Sequence, residues 1–196
     1  MKINVGSTFN VGEKERKVVL LMFLQSFFLG VFIATYDISV TSLFMQRVGA
    51  EHLSISFVIS GVVGVIFSTF YMKLQERVRF TTLSIVNLLV IGVLVLLGRL
   101  GFYFTTSELW VFGLFVLMGP LNVIALLGFW GAAGRLFSLR QGKRLFGLID
   151  GGQTAGVILF SFAIPVLTMF LTEVDLLYFC ILSVTLAFGI QVKISK

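Results

Sequence analysis

Six apolar runs, each about as long as a bilayer is thick, take up most of this chain and leave only short polar stretches between them. They cover 18–45, 53–74, 80–104, 109–134, 145–171 and 174–192. About 20 apolar residues in a helix cross the hydrocarbon core. With no water there, each run must satisfy its backbone polar groups internally, so each reads as a helix. A membrane β-barrel would show short alternating segments, and none are visible. Composition agrees. Apolar residues make up 58% and charged residues 12%, with a mean hydropathy of +1.05. Soluble domains carry about twice that share of charge. The expected fold class is an all-α membrane protein of six transmembrane helices.

The charges between the runs set an orientation. Of the 15 Lys and Arg residues, all but Arg47 and Arg99 fall before the first run, between the second and third, between the fourth and fifth, or after the sixth. The opposite loops carry Glu51, Glu108, Glu173 and Asp175. By the positive-inside rule the basic side is cytoplasmic, with both termini on it. This divides the chain into a cytoplasmic segment at 1–17, a six-helix transmembrane domain at 18–192 and a tail at 193–196. The first run is too long for a signal-peptide core and no small-residue cleavage site follows it. A net charge of +6 would also suit nucleic acid. Here the charges sit between apolar runs rather than on one face, so lipid is the expected partner and nucleic acid is not.

Chemistry has little material. Cys180 is the one cysteine and His52 the one histidine. A single cysteine makes no internal disulfide. No phosphate loop, activated nucleophile or metal-ligand spacing is present. No catalytic residue, metal or cofactor is expected, and an enzyme is not the reading.

The informative residues are polar ones inside the runs. Asp37 lies about two turns from the outer end of the first. A carboxylate at such depth is costly and marks a cavity or a partner; near enough to the interface it simply stays wet. Arg99, near the outer end of the third run, reads as an anion contact, as Asp37's partner, or as a snorkelling interfacial cation. Asp150 and Gln153 lie about two turns into the fifth run, among Gly147, Gly151, Gly152 and Gly156. The pairs Gly147/Gly151 and Gly152/Gly156 have the spacing that lets another helix approach closely. They suit tight packing, with Asp150 paired to loop cations, as well as a polar groove beside a mobile helix. Gln25, Asn87 and Asn122 are amides at membrane depth that need partners, from another helix or from a substrate. Pro120, beside Gly119, is expected to kink the fourth helix. Trp110 marks the outer boundary as an interfacial aromatic.

One stretch adds a likeness. Ser107-Glu108-Leu109-Trp110, then Phe129-Trp130, then Gly142-Lys143-Arg144-Leu145-Phe146-Gly147 and a Gly-rich helix follow in order. This resembles the bacterial and plastid ATP/ADP carrier family of nucleotide transporters. That family has an acidic-Leu-Trp motif opening its fourth helix, a Phe-Trp pair near its end and a Lys-Arg pair entering the fifth. Tyr36-Asp37, Val48-Gly49-Ala50-Glu51 and Tyr71-Met72-Lys73-Leu74 also resemble the family's early helices. The likeness implies a major-facilitator-like fold, whose two six-helix halves hold substrate between them at mid-membrane. This chain matches the first half. Glu108 matches the family's acidic residue, and Lys143 and Arg144 its Lys-Arg pair. A transporter would use Asp37, Arg99, Glu108, Asp150 and Gln153 as substrate contacts, with structural or gating roles for Lys143, Arg144, Gly147, Gly151, Gly152 and Gly156. One departure stands out: just after the position matching Asp37 the family carries Lys-Asp, and here the residues are Ser39, Val40 and Thr41.

Two functions follow as expectations. The first is a transporter module of a bacterial inner membrane, moving ATP/ADP or another organic anion by alternating access with a second half or a second copy. The second is a non-transporting anchor or partner-binding subunit of the same fold, which the missing cation favours.

Overall fold

The computed structural model describes residues 13–105 and 107–195, with only the backbone of Glu13, Lys14, Phe80 and Thr81. Most of the expected N-terminal segment, and Lys196, lie outside the described residues. Six long helices run in sequence: α1 (Glu13–Arg47), α2 (Leu53–Arg77), α3 (Phe80–Gly101), α4 (Glu108–Leu136), α5 (Leu139–Leu167) and α6 (Leu176–Ile194). A 3-10 turn, Ala50–His52, joins α1 to α2. No strand occurs among the described residues. All six helices are long and apolar enough to cross a membrane, which makes the chain a multi-pass membrane protein.

Residues 13–17 are helical and continuous with α1. The fifth helix begins at Leu139, not near 145, because Ser138 and Gln141 form a reciprocal capping box that satisfies the exposed amides. Arg140, Lys143 and Arg144 therefore ride on the first turns of α5 instead of lying in a loop. At the other corner, Ser107 caps α4 by accepting from the Trp110 amide.

α1 sits at the centre, against α5, α6 and α4. α4 is the second hub, against α2, α3 and α1, and α3 and α6 pack on each other. α2 and α5 are peripheral, one held mainly by α4 and the other mainly by α1. Exchanging the first three helices for the last three leaves this pattern unchanged: α1 with α5 corresponds to α4 with α2, and α1 with α6 to α4 with α3. The buried core follows the two hubs. Met22, Phe32, Tyr36 and Phe44 of α1 meet Val111, Phe115 and Leu121 of α4, with Leu177, Cys180 and Ala187 of α6 behind.

Between helices in lipid, apolar burial drives little, because the acyl chains are as apolar as Leu; close packing and interhelical hydrogen bonds carry the contact. The α1–α5 seam shows how. A Cβ added at Gly152 would stand 2.4 Å from the Phe23 carbonyl oxygen, and one at Gly156 2.3 Å from that of Phe27. From the other side, a Cβ at Gly30 would meet the Gln153 carbonyl oxygen at 2.1 Å. The Ser26 hydroxyl donates across this seam to the Ile149 carbonyl. Of the two expected small-residue pairs, Gly152/Gly156 makes the contact. Gly147 and Gly151 face open space.

Replacing Gly152 or Gly156 with Ala should therefore lower the stability of the isolated chain by about 1–3 kcal/mol, the cost of forcing packed backbones apart. Ala at Gly147 or Gly151 should stay within about 0.5 kcal/mol of wild type. Reversible unfolding in mixed detergent micelles measures both, and equal loss at all four positions would refute the assignment.

Candidate functional site

The two hub helices share one polar pair at membrane depth. The Asn122 side-chain amide of α4 donates to both carboxylate oxygens of Asp37 on α1, at 2.9 and 3.1 Å. Asp37 lies ten residues before the end of α1 at Arg47, about 15 Å along the axis, which is deeper than expected. Both side chains are half-buried rather than enclosed. Just above, the Thr41 hydroxyl approaches the Met118 sulfur at 3.8 Å. The Tyr36 hydroxyl, fully buried on the next position of α1, donates to the Leu114 carbonyl at 3.0 Å. The Asn122 carbonyl oxygen is buried without a partner. The pair can accept a proton or a hydrogen-bond donor at Asp37, with α1 and α4 both registering the change.

Arg99 is not Asp37's partner. Its guanidinium pairs with Asp175, at the start of α6, at 3.2 Å, and stacks on the rings of Tyr103 and Tyr178 at 4.9 and 4.6 Å. The two tyrosine hydroxyls meet at 3.1 Å. Three nearby groups thus hold Arg99 as a joint between α3 and α6. Glu108 stands exposed in the first turn of α4, about 21 Å along the helix from Asn122 at 1.5 Å per residue. Trp110 tucks against Gly101 and donates from its indole to the Gly98 carbonyl at 3.2 Å, so it locks α3 to α4.

On α5, Asp150 is exposed and no ion pair among the described residues includes it. Counted from Leu139 it lies about three turns in, again deeper than expected. Lys143, Gly147, Gly151 and Thr154 are exposed with it and repeat at helical spacing, so α5 presents a polar, small-residue stripe away from α1. Gln153 is half-buried instead, its backbone against Gly30 at the α1 seam. Arg144 pairs with Glu15 of α1, and Gln141 donates to the same carboxylate at 2.6 Å. That closes the α1–α5 pair at its basic end.

At the opposite end, the Gln46 amide donates to the Glu173 carboxylate at 2.7 Å, and the Ser39 hydroxyl donates to the Glu173 carbonyl. Of the amides at depth, Gln25 donates to Gln191 of α6 at 2.8 Å and Asn87 to the Ile124 carbonyl of α4 at 2.8 Å. Those two tie helices together; Asn122 alone meets a charge. Glu15 and Glu173 carried no sequence signal as partners, because each meets a residue more than a hundred positions away.

The joints at Glu173 and Asp175 are pH-sensitive. The Gln46 amide beside Glu173, and the Thr172 hydroxyl beside Asp175, hold both carboxyls below their ordinary values of 4.5 and 3.8. A depressed folded pKa gives stability present above the unfolded value and lost as pH falls through the folded one. Stability should thus hold above about pH 5 and decline below about pH 4. Asp175→Asn should flatten part of that decline, and an unchanged acid limb in a pH series of thermal melts would contradict it.

Comparison with known proteins places nothing beside this chain: no family model, curated protein or solved structure matches it.

Proposed function

We propose that this chain is one six-helix half of a membrane transporter similar to the ATP/ADP carriers, working by alternating access with a second half or a second copy. The observation that supports it most is the Asp37–Asn122 pair, half-exposed at membrane depth on the two hub helices. A lone carboxylate at the bilayer centre costs about 2.5–3.5 kcal/mol or more. Facing lipid, it would bring nothing in return. Facing a watered cleft against another six-helix unit, it meets substrate or proton. Asp150 and Thr154 on the open stripe of α5 suit the same cleft. The exchange of the first three helices for the last three supports a major-facilitator-like arrangement, whose halves are built from inverted three-helix repeats. The charge pattern supports both termini on the cytoplasmic side, and the resemblance to the carriers suggests a bacterial inner membrane.

The substrate class follows from the resemblance and from the pair's chemistry. Asp37 suits the amino or hydroxyl donors of a nucleotide, or a coupled proton. With Arg99 engaged at its joint, no cation of the described residues faces the pair, so the phosphates of an anion fall to the second unit. That same engagement favours the second reading, a non-transporting anchor of this fold.

Uptake of labelled ATP and ADP into proteoliposomes separates the two. Under the transport reading Asp37→Asn lowers uptake per folded molecule by tenfold or more, and Asn122→Leu lowers it similarly, with helicity and monodispersity intact. Saturable uptake that Asp37→Asn leaves unchanged removes the pair from the mechanism. Absence of any saturable uptake, with a partner co-purifying in fixed ratio, selects the anchor.

A further inference from the structure

Asn122 uses its donor group and leaves its acceptor idle. Its amide N–H donates to both carboxylate oxygens of Asp37, while its carbonyl oxygen is buried with no partner among the described residues. An ionised carboxylate cannot mend this, because it only accepts hydrogen bonds. The neighbouring hydroxyls are engaged: Tyr36 donates to the Leu114 carbonyl and Thr41 to the Met118 sulfur.

One proton mends both defects, the charge and the idle carbonyl. A neutral carboxyl has an O–H donor. The last torsion of an Asn or Asp side chain is soft. Rotation of Asn122 about it brings the carbonyl oxygen to that O–H, while an amide N–H stays on the other carboxyl oxygen. Acid and amide then hold two hydrogen bonds in a closed ring. The proton comes from water, no other bond breaks, and the charge on Asp37 goes from minus one to zero.

The groups around Asp37 leave that role to a proton. Tyr36 of α1 and Cys180 of α6 lie within electrostatic reach of the carboxylate, and both side chains are neutral at ordinary pH. α4 faces it with Asn122 and, one turn away, Met118. Among the described residues neither Asp150 of α5 nor any cation acts on Asp37, and Arg99 is held by Asp175.

We infer that the coupling ion of this chain is a proton, bound between the Asp37 carboxyl and the Asn122 carbonyl. The binding follows from the geometry of the pair; the coupling rests on the transporter reading proposed above. Sealing an ionised carboxylate away from water is costly, so charged Asp37 keeps its cleft wet. The neutral, ring-closed pair can be covered. The two hub helices therefore pass through the closed state with the proton aboard, and substrate crosses with it.

Infrared difference spectroscopy of the full chain in liposomes, recorded while the pH is lowered, reads the proton without transport. Wild type should gain the carbonyl stretch of a neutral carboxyl, and Asp37→Asn should lack it. Asn122→Leu, which keeps the carboxyl and removes the ring, should move that band to higher frequency; this shift makes the assignment if Asp37→Asn does not fold. In the same liposomes, with the membrane potential clamped by potassium and valinomycin, accumulation of labelled ATP or ADP should rise about tenfold per unit of inward pH gradient, the worth of one coupled proton. The residual uptake of Asp37→Asn should ignore the gradient. A spectrum in which neither variant alters a carboxyl band would overturn the inference, and saturable uptake alongside it would leave the transporter reading standing. Saturable uptake by wild type that ignores the gradient would overturn the coupling. The band present, with no saturable uptake of either nucleotide, would uphold the proton site and count against the transporter reading instead.

Discussion

A polar group in hydrocarbon has no solvent to fall back on, so each must find a protein partner or face a space that is not lipid. The interior of this fold is arranged around that demand. Gln25 finds Gln191 and ties α1 to α6; Asn87 finds a carbonyl and ties α3 to α4. Ser26 reaches across to α5 and Tyr36 to α4. These bonds are worth about 0.6 to 2 kcal/mol each in such settings. Where apolar burial discriminates so little, they decide which helices are neighbours. Asp37 and Asp150 differ because among the described residues no ion pair includes them.

The exchange relation between the first and last three helices gives those bonds a common logic. The tie from α1 to α6 and the tie from α3 to α4 occupy equivalent joints, the first made by the paired amides of Gln25 and Gln191 and the second by the Asn87 amide on a carbonyl. The peripheral helices are attached alike, by small residues. Gly152 and Gly156 bring α5 onto α1, while Gly64 and Gly119 bring α2 onto α4 beside Pro120 and Ser60. α4 continues unbroken through that proline to Leu136. The Asp37–Asn122 pair joins the two hubs themselves, beside the Tyr36–Leu114 and Thr41–Met118 contacts, and of these three it alone carries a charged side chain.

Most of the fold is legible in the residues. Runs of about 20 apolar positions locate six helices because length and composition alone decide whether a segment suits hydrocarbon. The ends are less legible. The start of α5 turns on Ser138 and Gln141, a local cap hidden among basic residues that read as loop. Partners are less legible still. Arg99 and Asp175 stand 76 positions apart, and nothing in either neighbourhood says they meet. Asp37 is visible as an expensive carboxylate, but its choice of Asn122 over Arg99 is set by the rotation of α1 against α4, which periodicity does not encode. The glycine pairs show the same limit: two identical spacings on one helix, one packed and one open.

The α1–α5 seam constrains how this chain can change. At Gly156 the atom in the way is the carbonyl oxygen of Phe27, and at Gly152, even with the Ser26 hydroxyl trimmed away, the carbonyl oxygen of Phe23 remains. A side-chain clash can be relieved by shrinking the opposing residue, so such positions drift in compensating pairs. A main-chain oxygen is the same in every amino acid, and no substitution on α1 retracts it. Gly152 and Gly156 therefore have no one-residue suppressor across the seam. In a collection of natural variants they should stay fixed without a co-varying partner, which hides this contact from any method that infers proximity from paired change.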